Sequence, residues 1–226
     1  MPFGEATSRL GSFSFVAKTR FDFRRGEDSR SQENSHRIVF DSNGNYHLNY
    51  KTPTNQTEYY SIGDNVFVRL DSGHVRKKPR REVNTETWAD IGFLSAAAAL
   101  DPFETLLAIS DPNPMELAGR SCIRLALALG EAKAKHVETT RSLPQPVPAA
   151  WREKARPMDL QGFLWVDSET GVVLQAKIDG RIEIPDRDVR PTILTVHLET
   201  QIDEIGSVQP VVEPQSVPEF RRTPPP

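Results

Sequence analysis

The chain has 226 residues, a net charge of −3 and 26% charged residues. That length suits one large domain with a core of its own, and the weak acidity gives no bulk attraction for nucleic acid. One cysteine, Cys122, excludes an internal disulfide framework, and no apolar run reaches the ~20 residues that cross a bilayer as a helix.

The opening MPFGEATSRL has neither the basic nor the apolar region of a secretory signal, so no signal peptide is expected in this chain. SFSFVAKTRFDFR follows. Phe13, Phe15, Ala17, Thr19, Phe21 and Phe23 occupy every second position, with mostly polar residues between them. This period of two predicts a long strand with one buried and one wet face. Four phenylalanines on one face require a large apolar volume opposite them.

HRIVFDSNGNYHLNYKT carries Asn43-Gly44, the signature of a tight hairpin whose two central residues both take positive φ. Tyr46, Leu48 and Tyr50 then share a face. TEYYSIGDNVFVRLDSGHVRKKP continues an antiparallel meander, with turns at Gly63-Asp64-Asn65 and Asp71-Ser72-Gly73 and alternation at Val66, Val68 and Leu70.

WADIGFLSAAAALDPFETLLAIS departs from this pattern and reads as a helical insert over about 84–110. Asn84 or Thr85 can cap its start. Trp88, Ile91, Leu94 and Ala98 fall at helical spacing. Asp101, Pro102 and Glu104 mark a second helix start, and Phe103, Leu106 and Leu107 form its stripe, ending before Asp111-Pro112. GRSCIRLALAL reads as a strand, with Ile123, Leu125, Leu127 and Leu129 on one face; a helix competes for this leucine-rich stretch. Residues 131–157 read as a loop. GFLWVDSETGVVLQAKIDGRIEI gives a hairpin with Val172, Leu174, Ala176 and Ile178 along one face, and TILTVHLETQIDEI a last strand. From about Val208 the prolines predict an extended tail.

The sum is nine or ten antiparallel strands, each with one apolar face, plus one helical insert. The expected fold is mainly β within the α+β class: a large curved antiparallel sheet, with the insert as a lid on its concave side. Residues 1–207 make one domain and 208–226 a proline-rich tail.

No catalytic constellation is present. The five histidines His36, His47, His74, His136 and His197 show no metal-ligand spacing, and each reads as a surface or strand-polar residue. Cys122 sits in an apolar strand as core filler. Asp186 with Asp188, and Asp203 with Glu204, lie in polar turns or at a strand end, where solvation is the default. RKKPRR, residues 76–81, contains no aromatic residue and reads as a solvated strand end or as a contact for anionic lipid headgroups.

The order of elements resembles the LolA/LppX/LprG superfamily of bacterial periplasmic lipid and lipoprotein carriers. SFSFVAKTRFDF resembles its first long strand, SIGDNVFVRLDSGHVRKKP an early hairpin, DPFETLLAISDPNPMELAGRSCIRLAL its helix, acidic-proline turn and strand, GFLWVDSETGVVLQAKIDG a late hairpin, and IGSVQPVVEP its closing strand and proline exit. The resemblance implies a half-open barrel lidded by helices, with acyl chains held between them. It implies a non-enzymatic binder or carrier without cofactor or metal, periplasmic or associated with the outer membrane, touching the membrane peripherally at most. The lining would be Phe13, Phe15, Phe21, Phe23, Trp165 and Leu174 as floor, and Trp88, Ile91, Leu94, Phe103 and Leu107 as movable cover. Arg76, Lys77, Lys78, Arg80 and Arg81 would meet headgroups. The alternative is an envelope interaction or sensor protein of the same fold, with a packed core and a protein partner.

Overall fold

The computed structural model describes residues 7, 9–71, 73–82, 101–131, 154–185 and 190–215. In chain order the strands are β1 (Phe13–Arg25), β2 (Asp28–Phe40), β3 (Tyr46–Lys51), β4 (Gln56–Ile62), β5 (Asn65–Arg69), β6 (Val75–Pro79), β7 (Leu107–Leu117), β8 (Arg120–Leu129), β9 (Arg156–Asp167), β10 (Val173–Ile184) and β11 (Thr192–Asp203). All eleven belong to one antiparallel sheet of spatial order β6-β5-β4-β3-β2-β1-β11-β10-β9-β8-β7, curved and unclosed like a half-open barrel. Two meanders build it. The first walks outward from β1 to the β6 edge; the second starts at the β7 edge and walks inward until β11 pairs with β1, from Ser14↔Asp203 to Arg24↔Ile193. Residues 80–106 therefore connect opposite edges of the sheet.

The alternation read from β1 places Phe13, Phe15, Ala17, Thr19 and Phe21 in the buried interior, with Phe23 half-buried beside them. β11 repeats the pattern: Leu194, Val196, Leu198, Thr200 and Ile202 are buried, and the residues between them are not. The face carrying these side chains is the inner face. Its apolar residues form two clusters. One gathers Phe13, Phe15, Ile38, Tyr46, Leu48 and Leu174 at one end of the strands. The other gathers Phe21, Phe103, Leu127, Leu160, Ile178 and Val196 at the other end.

Three expectations change. Asp41 to Asn45 is not the tight turn expected at Asn43-Gly44: only Gly44 takes a positive φ, 76°. The Gly44 N–H donates to the Asp41 carbonyl at 3.1 Å, and Asp41 Oδ1 accepts from the Asn43 and Asn45 N–H groups at 2.9 Å each. The buried aspartate, rather than Asn-Gly, shapes this longer turn. The expected second helix shrinks to a 3-10 segment, Asp101–Leu106, and Leu107 already begins β7. Asp111-Pro112 does not end a helix. It sits in a bulge of β7, with a register shift between Ser110 and Asn113 and φ of 53° at Asp111. β7 is an edge strand, where prolines lacking an N–H are tolerated and bulges are common. The first expected helix, with Trp88, Ile91 and Leu94, lies outside the described residues.

GRSCIRLALAL is strand, paired on both sides, to β7 and β9. β9 starts at Arg156, earlier than the loop expected over 131–157. The tail is anchored over its described part. The Val211 N–H donates to Asp41 Oδ2 at 3.0 Å, Arg69 Nη2 donates to the Gln215 carbonyl at 2.9 Å, and Lys77 lies 3.9 Å from Glu213. Arg69 and Lys77 share the outer face with Phe67 and Tyr60, both buried. The tail thus ties the β2–β3 turn to the outer face of β5 and β6.

Candidate ligand-binding face

Strand register arranges the inner face in rows that run across the strands. One row is Phe13, Phe40, Tyr46, Ser61, Val66 and Lys78. The next is Ile202, Phe15, Ile38, Leu48, Tyr59, Val68 and Arg76. The third differs in kind: Ala176, Thr200, Ala17, His36, Tyr50 and Thr57. A fourth holds Ile178, Leu198, Thr19 and Asn34, and beyond it Val196 pairs with Phe21. Between the Phe13/Phe15 and Phe21/Phe23 pairs the floor therefore steps down to Ala176, Thr200, Ala17 and Thr19. The result is a trough beside the phenylalanines, with a floor that is small over β10, β11 and β1 and continues through the larger His36 and Tyr50. Its third row spans five strand intervals, ~24 Å at the usual strand spacing.

The trough's floor is buried and partly polar. Ala17 is fully buried, and Thr19, His36 and Thr200 are buried with it. The His36 ring stacks on Tyr50 at a centroid distance of 4.7 Å. Among the described residues, neither His36 ring nitrogen has a hydrogen-bond partner, nor does Thr19 Oγ1. Burial pushes the His36 pKa down from 6.5 to about 4, so the ring is neutral at pH 7.

The segment joining the two edges touches this face at its described end. Phe103 is 1% exposed and brings the end of its ring against Gly180 of β10, where an added Cβ would meet its Cζ at 2.4 Å. Glycine is required there because the ring occupies the space of a side chain. Leu107 packs, partly buried, against the same cluster.

The other expected lining residues separate. Phe13, Phe15, Phe21 and Leu174 are buried on the inner face, with Phe23 at its margin. Trp165 is not with them. It pairs with Arg124 and Gln175, the side opposite Leu164 and Ala176. Its ring lies 6.0 Å from that of exposed Phe163, over which Arg124 stacks at 4.9 Å. Apolar residues occupy both faces of β9 here, so alternation alone does not assign Trp165 to a face. Of the basic residues, Arg76 and Lys78 fall in the inner-face rows at the β6 rim, while Lys77 stacks over Phe67 on the outer face. Arg80 and Arg81 follow in a short 3-10 turn, and all five are exposed.

At the strand ends, a pocket of about 220 Å³ opens beside Leu174 and Ile202, with Leu117, Arg120, Gln201 and Glu204 around it. Arg120 is fixed there. Its Nε and Nη2 donate to the two oxygens of buried Asp167 at 3.0 and 2.9 Å, which hold that carboxyl below the usual carboxylate range. Burial raises the thiol pKa of neighbouring Cys122, which suits core filler rather than a nucleophile.

The trough residues Ala17, Thr19, His36, Ala176 and Thr200 were not singled out as lining from sequence. The signal was present as the interruption of Phe-x-Phe-x by Ala and Thr before Phe-x-Phe resumes. His36 looked like any polar residue in a strand.

No family model matches the chain, and no curated protein matches it. Among solved structures it is similar to the Mycobacterium tuberculosis lipoprotein LppX, at 12% identity and a TM-score of 0.40, over 92% of this chain and 93% of that one. It is also similar to a LolA superfamily protein from Nitrosomonas europaea, at 8% identity and 0.22, over 89% and 93%. MucB matches at 15% identity and 0.25, over 92% of this chain and 60% of MucB. At these values the likeness carries no weight for function, which has to come from the chain's own residues.

Proposed function

We propose that the inner face is a seat for acyl chains of lipid or lipoprotein, and that the chain binds or carries them in the bacterial cell envelope without performing chemistry on them. The observation that carries this reading is the trough. An unclosed sheet sets two phenylalanine pairs of β1 on either side of a floor that drops to Ala176, Thr200, Ala17 and Thr19. A plain core would more simply fill such a floor with branched aliphatic residues. Phe13, Phe15, Phe21, Phe23 and Leu174 serve as walls, and Phe103 and Leu107 as the near part of the cover. Trp88, Ile91 and Leu94 complete the cover in this proposal. Each buried methylene contributes ~0.8 kcal/mol, so a modest length of chain gives useful affinity. Because Ala17 is fully buried, entry of a chain requires displacement of what lies over it, and release follows the reverse path. Arg76 and Lys78 at the rim, with Lys77, Arg80 and Arg81 nearby, suit contact with anionic headgroups.

Titration of the full chain with a fluorescent fatty-acyl probe tests this. Saturable binding that is weakened by Ala17→Leu, which fills the floor, is expected. Absence of uptake, or uptake indifferent to Ala17→Leu in a folded variant, would count against it and favour a packed core with a protein partner.

A further inference from the structure

Resting on that reading, we propose that His36 and Thr19 form a polar seat in the trough that takes a neutral hydroxyl carried by the acyl-chain ligand. Three observations converge. First, register makes the two residues diagonal neighbours across β1 and β2, because Ala17 faces His36 and Thr19 faces Asn34; such neighbours stand roughly 7–8 Å apart, a gap that a bound hydroxyl group can bridge. Second, both are buried on the inner face, at 2% and 1% exposure, yet both His36 nitrogens and Thr19 Oγ1 lack a hydrogen-bond partner among the described residues. Buried polar atoms are ordinarily paired, and unpaired ones cost stability without return unless something fills the site. Third, the small residues Ala17, Ala176 and Thr200 lie in the His36 row, so the floor beside the imidazole has the least side-chain bulk.

The chemistry of the unmade bonds selects the ligand group. A neutral imidazole presents one N–H donor and one nitrogen acceptor, and a threonine hydroxyl can do both. A hydroxyl donates to one and accepts from another. An ester oxygen only accepts, and so serves half the site. An ionised carboxylate would enter a buried site whose histidine stays neutral and whose row, among the described residues, carries no cation to offset desolvation.

The test is displacement of a neutral apolar dye from the full chain by a monoacylglycerol and by the fatty-acid methyl ester of the same acyl chain. The monoacylglycerol is expected to compete roughly tenfold better than the methyl ester, the discrimination that one or two buried hydrogen bonds give. His36→Phe preserves the stacking on Tyr50, and Thr19→Val preserves shape. In either variant the preference, read as the ratio of the two lipids' competition within that variant, should be lost. Equal competition in the unmodified protein, or a preference that survives both substitutions, overturns the polar seat and leaves acyl binding standing. Failure of the dye and both lipids to bind overturns the acyl-binding reading itself, and this inference with it. A readout without mutation uses the His36 ring-nitrogen NMR signals. They should shift further on adding monoacylglycerol than on adding methyl ester; an unchanged spectrum with bound monoacylglycerol contradicts the seat.

Discussion

His36 is where residue chemistry reports most directly on the interior. Its folded pKa of about 4 lies below the ordinary 6.5. Above pH 6.5 both folded and unfolded chains hold it neutral, and its contribution is constant. As pH falls from 6.5 towards 4, the unfolded chain takes up a proton that the folded chain refuses. Stability is therefore lost across that window, by about 3 kcal/mol in total. Denaturant melts at successive pH values should show this loss, and His36→Phe should remove most of it; burial also lowers the His47 pKa, which leaves a smaller slope. Arg120 makes a second residue-scale test. Arg120→Ala leaves the buried Asp167 carboxylate without its cation, and a loss of about 3 kcal/mol is expected in the same melts. Neither role was legible in the sequence. A lone histidine in a strand, and an arginine and aspartate 47 positions apart, show their meaning only once register puts them together.

At the scale of elements, strands with one dry face were legible and the joints between them were not. The alternation of β1 and of β10 is written in side-chain period, while β9 carries apolar residues on both faces. The turn at Asp41 depends on a buried carboxylate accepting several N–H groups, one of them from Val211 in the distant tail, and no local pattern encodes that. β7 was masked by its own prolines, which an edge strand with a bulge accepts and an interior strand does not. The contact between Phe103 and Gly180 ties the 3-10 segment Asp101–Leu106 to the sheet, and it gives a specific expectation. Gly180→Ala should cost about 1–3 kcal/mol by driving the ring off β10. In a Phe103→Ala background the same substitution should cost almost nothing, because the clash partner has gone. Additive losses in that double-mutant cycle would show that Gly180 is needed for the strand and not for the ring.

At the scale of the whole molecule, the tail and the trough occupy opposite faces of one sheet. The tail reads from sequence as an extended appendage, because prolines say nothing about what they lie on. In the structure its described part is bound to Asp41 and Arg69 and lies near Lys77, over the face of Phe67 and Tyr60. Val211→Pro removes the N–H that reaches Asp41 and should cost about 1–2 kcal/mol in thermal or urea unfolding, while leaving acyl-probe affinity unchanged. The single curved sheet was legible from many strands with single apolar faces, and its half-open barrel form was implied by the resemblance in element order. The trough within it was not, because it arises from register between strands far apart in sequence. Native mass spectrometry of the purified full chain, followed by organic extraction and lipid analysis, tests the central claim most directly. The account predicts an extractable acyl lipid bound near one per chain, or stoichiometric uptake of an added one. A ligand-free mass that no added acyl lipid changes would contradict it.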